Sequence, residues 1–525
     1  MSISRRHWWQ AALAQALGLG GPSGLWAQAP MEANPFTLGV ASGAPSDSSV
    51  VLWTRLVPPN PYRYPWADVP LEVRWELALD EGFTQLVQQG RHTALPALAH
   101  SVHVEVTGLP AAQRLFYRFR VAGFISPVGQ TRTLPSPQQE VGSLRFAFAS
   151  CQRYHAGHFG AYRAMLADQP DLLVFLGDYI YESGGRVGEF RGPISAAATA
   201  LNDYRELYAL ARSDPALQAM HAACPWLVIW DDHEVFNDYA GGPLQGQARW
   251  GSVARRCAAY QAWYEHMPVS PRTVLGGLQA LLTGPAALQV YQRVPVGRLA
   301  MFHLLDTRQY RDDAVRCGIA GLFKPEDCDA ARDPARSLLG REQEAWLQQG
   351  LQQQSPAHAA SRQHWNVICQ PTTVSPRLLP VWGERSFSDG WDGYAASRQR
   401  LIKGLQQHQV SGPVILGGDI HEHWAAHLHA GPGPTQGPIV APEFCCASIT
   451  SRAFGGITSA EIMALNPHVQ FSARQQRGYG LVNMTPERLQ VQMRVIDDVF
   501  KEWPSVGTAA AFEVAQGNPR MRRLG

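Results

Sequence analysis

Five apolar runs in this chain each stop at a group that can bind a metal or move a proton, and that repetition constrains the fold more than any other feature. Residues 144–149 run into Ser150-Cys151, and residues 172–177 into Asp178-Tyr179-Ile180-Tyr181. Residues 226–230 run into Asp231-Asp232-His233-Glu234, residues 299–305 into Asp306-Thr307-Arg308, and residues 414–418 into Asp419-Ile420-His421-Glu422-His423. Between the runs lie helix-patterned stretches such as Phe159 to Asp168 and Arg341 to Leu351, so the pattern predicts an α/β layered domain. In α/β sheets the groups just past the strand C-termini form the ligand site. A single Asp there is ordinarily a helix N-cap. Five ends offering thiol, carboxylate, phenol and imidazole predict one convergent site. Gathered carboxylates repel one another, and cations between them are the simple physical remedy.

The segment before this domain reads differently. From about residue 35 to 133 short stretches alternate apolar and polar residues, as in Leu71-Glu72-Val73-Arg74-Trp75-Glu76-Leu77 and Phe116-Tyr117-Arg118-Phe119-Arg120-Val121. That alternation predicts strands with one buried face, arranged as an all-β sandwich of immunoglobulin or fibronectin type. Pro135 to Glu140 reads as the linker to a second domain over residues 144–525. Residues after about Ser505 read as a weakly structured tail or a short terminal helix.

Ser4-Arg5-Arg6-His7-Trp8-Trp9, a short apolar stretch and Ala27/Ala29 together read as a twin-arginine export signal over residues 1–29, which places the mature chain in the periplasm or outside the cell. No later run is long enough to span a bilayer. A net charge of +2 gives no basic face for nucleic acid. The eight cysteines form no CxxC pair. Cys317 and Cys328 flank a loop that one disulfide would close, and Cys445-Cys446 in an apolar run read as buried free thiols.

The strand-end motifs resemble those of the alkaline phosphatase D family, relatives of the metallophosphoesterases. They are Ala149-Ser150-Cys151-Gln152, Gly177-Asp178-Tyr179-Ile180-Tyr181-Glu182, Trp230-Asp231-Asp232-His233-Glu234, residues 306–311 and Gly417-Gly418-Asp419-Ile420-His421. Residues 36–43 are similar to the start of that family's N-terminal domain, and Ser448-Ile449-Thr450-Ser451 and Arg477-Gly478-Tyr479-Gly480 to its C-terminal part. The resemblance implies a metallophosphatase-like catalytic domain that hydrolyses phosphate esters by a metal-activated hydroxide, with one Fe(3+) and Ca(2+) ions. It places Cys151 and Tyr181 on iron and Asp178 between iron and calcium, with Asn237, Asp419 and Asp232 completing the set; Asp231 for Asp232 and Asp238 for Asn237 stay open. The donor mix agrees, since thiolate and phenolate suit a highly charged iron and carboxylates suit calcium.

His233 is the candidate for leaving-group stabilisation and His421 for a second layer or metal contact. Arg308 either clamps phosphate in a bidentate fashion or is held in an ion pair with a loop carboxylate. Tyr179 reads as core, and His423 and His427 as hydrogen-bonded or exposed. Three rivals remain: a phospholipase D-like phosphodiesterase acting on lipid phosphate esters, a purple acid phosphatase, which Cys151 disfavours, and a non-enzymatic envelope binding module, which has no need of five loaded strand ends.

Overall fold

The computed structural model describes residues 31–57, 68–241, 252–284, 286–315, 317–359 and 362–525. The export signal lies outside them. Each of the five loaded runs is a strand. Three lie side by side and parallel in a ten-stranded sheet: Leu144–Ala149, Leu172–Leu176 and Trp226–Ile229. Two belong to a seven-stranded sheet, where Ala300–Leu304 and Pro413–Gly417 flank Trp365–Cys369 in parallel.

The two sheets share a core. Phe146, Val174 and Leu481 of the first are buried with Phe302, Val367 and Val414 of the second, and the Phe146 and Phe302 rings meet edge to face at 5.2 Å. Helices Gly160–Asp168, Pro215–Ala223 and Val253–His266 bury Met165, Met220 and Trp263 in that core. Helices Gly340–Gln353 and Ala395–Gln407 bury Leu347, Leu351, Leu401 and Leu405 with Ile368 and Ile415 of the second sheet. Burial on both faces explains why these strands read as continuous apolar runs and not as alternations.

The alternating N-terminal stretches form strands, two of which are Leu71–Ala78 and Arg114–Val121 in a five-stranded sheet. That sheet packs on Val40–Gly43, Ser49–Arg55 and Ser101–Thr107 through Val40, Leu52, Val73, Val104 and Phe119. These last three strands are not a separate sheet. They end the ten-stranded one, because Val40–Gly43 pairs in parallel with Trp226–Ile229 at Gly43 and Trp226. One layer of the N-terminal sandwich is thus the continuation of the catalytic sheet, a pairing that hides what would be a bare strand edge.

The tail expected after Ser505 is corrected. Val506–Ala515 and Met521–Leu524 are strands at the opposite end of the ten-stranded sheet. Consecutive alanines in 509–511 favour helix, but Ala510, Phe512 and Val514 are buried on alternate positions, and pairing against Arg488–Ile496 overrides the propensity. Cys317 and Cys328 are disulfide-bonded, and Cys445 and Cys446 are buried and free. No helix among the described residues is long and apolar enough to cross a membrane.

Candidate metal centre

The strand ends are turned sharply to aim their side chains. Cys151, Asp178, Asp419 and His421 all have left-handed backbone, with φ of 59°, 58°, 60° and 54°, and Asp238 has 58°. A non-glycine residue held there costs about 1 kcal/mol or more, and such strain concentrates at functional sites. The turns are stitched together. Cys151 N donates to the Gly177 carbonyl at 3.1 Å and Gln152 N to the Asp178 carbonyl at 2.9 Å. Glu234, buried behind them, accepts from the backbone N–H groups of Asp178, Tyr179 and Asp231 at 3.0, 2.6 and 2.9 Å.

Potential ligand atoms then form a connected series. Those of Cys151, Asp178 and His421 lie within 4.8 Å of one another, as do those of Asp178, Asp232 and His233, and those of Asp232, Asp238 and Asp389. Asp178 joins the first group to the second, and Asp232 the second to the third. The Tyr181 hydroxyl enters the first group, 3.0 Å from Asp178 Oδ2 and 3.0 Å from His421 Nε2. His421 Nδ1 lies 2.8 Å from the Arg452 carbonyl, which only accepts, so Nδ1 carries the proton and Nε2 presents a lone pair. Two acceptors, Asp178 Oδ2 and His421 Nε2, therefore compete for a single phenol proton. Asp178 Oδ1 and Asp231 Oδ2 are buried with no hydrogen-bond partner. A buried, half-satisfied anionic set is costly, and a cation in place of the proton satisfies it; the residues present fit a metal cluster.

The ionisation tendencies agree. Burial and then Asp178 push the Cys151 thiol well above its usual range, and burial does the same to the Tyr181 hydroxyl, again with Asp178. Burial raises Asp178 well above an ordinary carboxyl, against the pull of His233. Burial lifts Asp419 to about 7 and, with Asp389 and Asp232 beside it, Asp238 to about 7. Burial alone would depress His233, but Asp232, Asp178 and its 2.7 Å bond to Glu182 reverse this and raise it. Burial lowers His421 to about 4, which keeps its ring neutral at neutral pH.

The structure thus brings Cys151, Asp178, Tyr181, Asp232, His233 and His421 together. Asp419 lies outside the three groups, half-buried, and accepts from Thr372 Oγ1 at 3.1 Å. Asn237 is exposed, and its backbone N–H binds Glu182 at 3.0 Å; the carboxylate beside Asp232 and Asp389 is that of Asp238. His423 and His427 are held by Arg494 O and the Met521 N–H. Arg308 is buried, its Nε donating to Asp231 and its Nη1 to both oxygens of Asp389 at 2.8 and 2.7 Å. This is the ion-pair alternative, although with carboxylates of other loops than Asp306, which instead caps the Arg308 and Gln309 N–H groups. Only Nη2 lacks a hydrogen bond. Replacing Arg308 by Leu leaves the buried Asp231 unpaired and Asp389 held by Arg311 alone, and denaturant unfolding should show a loss of about 3–5 kcal/mol. A loss under about 1 kcal/mol would mean the pairs are solvated.

Asp389 went unrecognised from sequence, and Glu182 and Ser451, although part of quoted motifs, were given no role. Asp389 follows a strand, Glu384–Phe387, that no apolar run announces. Glu182 follows the Asp178-Tyr179-Ile180-Tyr181 run directly, and that adjacency was the available signal.

Known proteins are similar to this chain. Residues 146–493 match the model of the PhoD-like phosphatase family, and residues 22–135 match that of the PhoD-like phosphatase N-terminal domain. Over 502 residues, 93% of this chain and 82% of the relative, the chain is 42% identical to alkaline phosphatase D of Bacillus subtilis (strain 168). It superposes on a solved structure of PhoD with a TM-score of 0.84 and 40% identity, covering 94% of this chain and 93% of that one.

Proposed function

The chain belongs to the PhoD-like phosphatase family and is a phosphoric ester hydrolase, and from that premise we propose that it works through a cluster of iron and calcium ions in a layered, metallophosphatase-like domain over residues 144–525. The observation that supports this most is the Tyr181, Asp178 and His421 trio, in which two acceptors face the one phenol proton beside Cys151. Cys151, Tyr181 and Asp178 would hold Fe(3+), with His421 beside them. Asp178, Asp232 and Asp419 would hold Ca(2+), with the position assigned to Asn237 passing to Asp238. Bound there, the cations supply Lewis acidity to a phosphoryl oxygen and an acidified water.

The chain's own residues do the rest. Glu182 fixes the His233 ring through Nδ1, so the opposite ring nitrogen is free to donate a proton toward the departing oxygen. The Tyr181 ring, 4.2 Å from that of His233 between centroids, holds it from below. Arg308 braces Asp231 and Asp389, and its Nη2, 3.6 Å from Asp232 Oδ1, fixes that carboxylate electrostatically. The residue 1–29 signal and the Cys317–Cys328 disulfide, a bond stable in oxidising compartments, support export to the periplasm or beyond.

Metal analysis with a visible spectrum tests the proposal. Iron plus calcium and a coloured protein are expected, with turnover of an aryl phosphomonoester or a bis-aryl diester that depends on both metals. A colourless, zinc-only preparation with full activity would overturn the metal assignment.

A further inference from the structure

The Ser448-Ile449-Thr450-Ser451 and Arg477 motifs have no part in the mechanism so far. They form one clamp. Ser451 Oγ stands 2.7 Å from the Tyr181 hydroxyl and 3.0 Å from the Cys151 carbonyl. The next residue, Arg452, supplies the carbonyl that binds His421 Nδ1. Arg477 Nη1 reaches the Ser451 carbonyl at 2.6 Å, the His421 carbonyl at 2.8 Å and Ser448 Oγ at 3.0 Å. One loop, nailed down by one arginine, therefore touches Cys151, Tyr181 and His421 at once.

Proton counting at Tyr181 gives the clamp a purpose. As a phenol, Tyr181 donates its own proton. As a ligand it has none, and its oxygen can only accept. Asp178 Oδ2 is an acceptor, and His421 Nε2 is one too, because Nδ1 holds the imidazole proton against Arg452. The Ser451 hydroxyl is the remaining contact of that oxygen with a proton to give. Nor is its proton needed elsewhere. The Cys151 carbonyl already accepts from the Thr450 and Ser451 N–H groups at 3.4 and 3.3 Å, which occupies both lone pairs.

We propose that Ser451 is a positioning residue of the metal centre, donating the hydrogen bond that stabilises Tyr181 as a phenolate ligand, on a loop fixed by Arg477. The role rests on the metal reading above. A hydrogen bond to a ligand oxygen lowers the energy of its lone pairs, so its removal shifts ligand-to-metal charge transfer to longer wavelength and weakens metal retention. Partners of metal ligands are typically worth 10-fold to 100-fold in affinity or activity.

The test uses full-length protein loaded with ferric iron. Ser451→Ala should move the charge-transfer band to longer wavelength and lose iron to a competing chelator about 10-fold more readily, while Ser451→Thr, which keeps the hydroxyl, restores both. In a Tyr181→Phe background, Ser451→Ala should change iron retention no further, as a double-mutant cycle isolates the pair. An unmoved band in Ser451→Ala, or the same loss of iron in both backgrounds, overturns the proposal and leaves the metal assignment standing. A wild-type protein that takes up ferric iron without any such band refutes the metal assignment itself, and the Ser451 role with it.

Discussion

Replacing Asp178 by asparagine is expected to lower turnover by at least about 10³-fold, beyond the effect of removing one fixed donor from a catalytic site, while the protein still folds. Asp178 is the one residue common to the Cys151 and His233 groups of ligand atoms, so its loss uncouples two parts of the centre at once. Asparagine keeps the shape and tolerates the left-handed backbone at this position. Without metals, the same change removes a buried carboxylate whose Oδ1 has no partner. The metal-free variant should therefore melt at a higher temperature than metal-free wild type, an instance of activity and stability pulling apart at a functional site. Turnover and thermal melting on the same preparations check both halves. Near-normal activity would remove Asp178 from the centre, and a lower melting temperature would show that it supports the fold.

Chelation is expected to abolish activity and to make stability fall as pH rises. In the metal-free protein burial raises Asp419 and Asp238 to about 7, whereas an unfolded chain titrates such groups near about 4. Between those values the folded state binds more protons than the unfolded one. Unfolding then becomes easier with rising pH, by about 1.4 kcal/mol per pH unit for each carboxyl that keeps its proton. The stabilisation is fully present below about pH 4 and is lost as pH climbs through about 7. Bound cations take the place of those protons, so loaded protein should not show this slope. Melting curves from pH 5 to 8, with and without chelator, should diverge as pH increases. Parallel curves would mean that these carboxyls face water and that no cation site depends on them.

The sequence made the centre legible where chemistry follows directly on a buried strand. Cys151, Asp178, Asp232 and Asp419 each follow an uninterrupted apolar run, because strands covered on both faces leave that trace. Asp389 leaves none, and Ser451 shows only as part of a motif without a role. Asp389 follows a short, partly exposed strand, and Ser451 lies in a loop whose value comes from what folds against it, some 270 residues from Tyr181. The choice between Asn237 and Asp238 turned on a one-residue twist: φ of 58° at Asp238 reverses which side chain faces inward, and composition carries no sign of it. The terminal strands were missed for the reason that misleads at sheet edges. Alanine-rich propensity is local, and strand pairing is decided by the neighbour.

The shared sheet has a further consequence for how the molecule is inherited and cut. Since Val40–Gly43 pairs at Gly43 with Trp226 of the strand Trp226–Ile229, whose next residues are Trp230, Asp231 and Asp232, the amino-terminal quarter completes the sheet that carries the proposed site and is not luggage carried beside it. Gene fusions or shortened forms that begin at the proline-rich linker would keep every proposed ligand and still leave a sticky, unpaired edge on the strand that leads into Asp231 and Asp232.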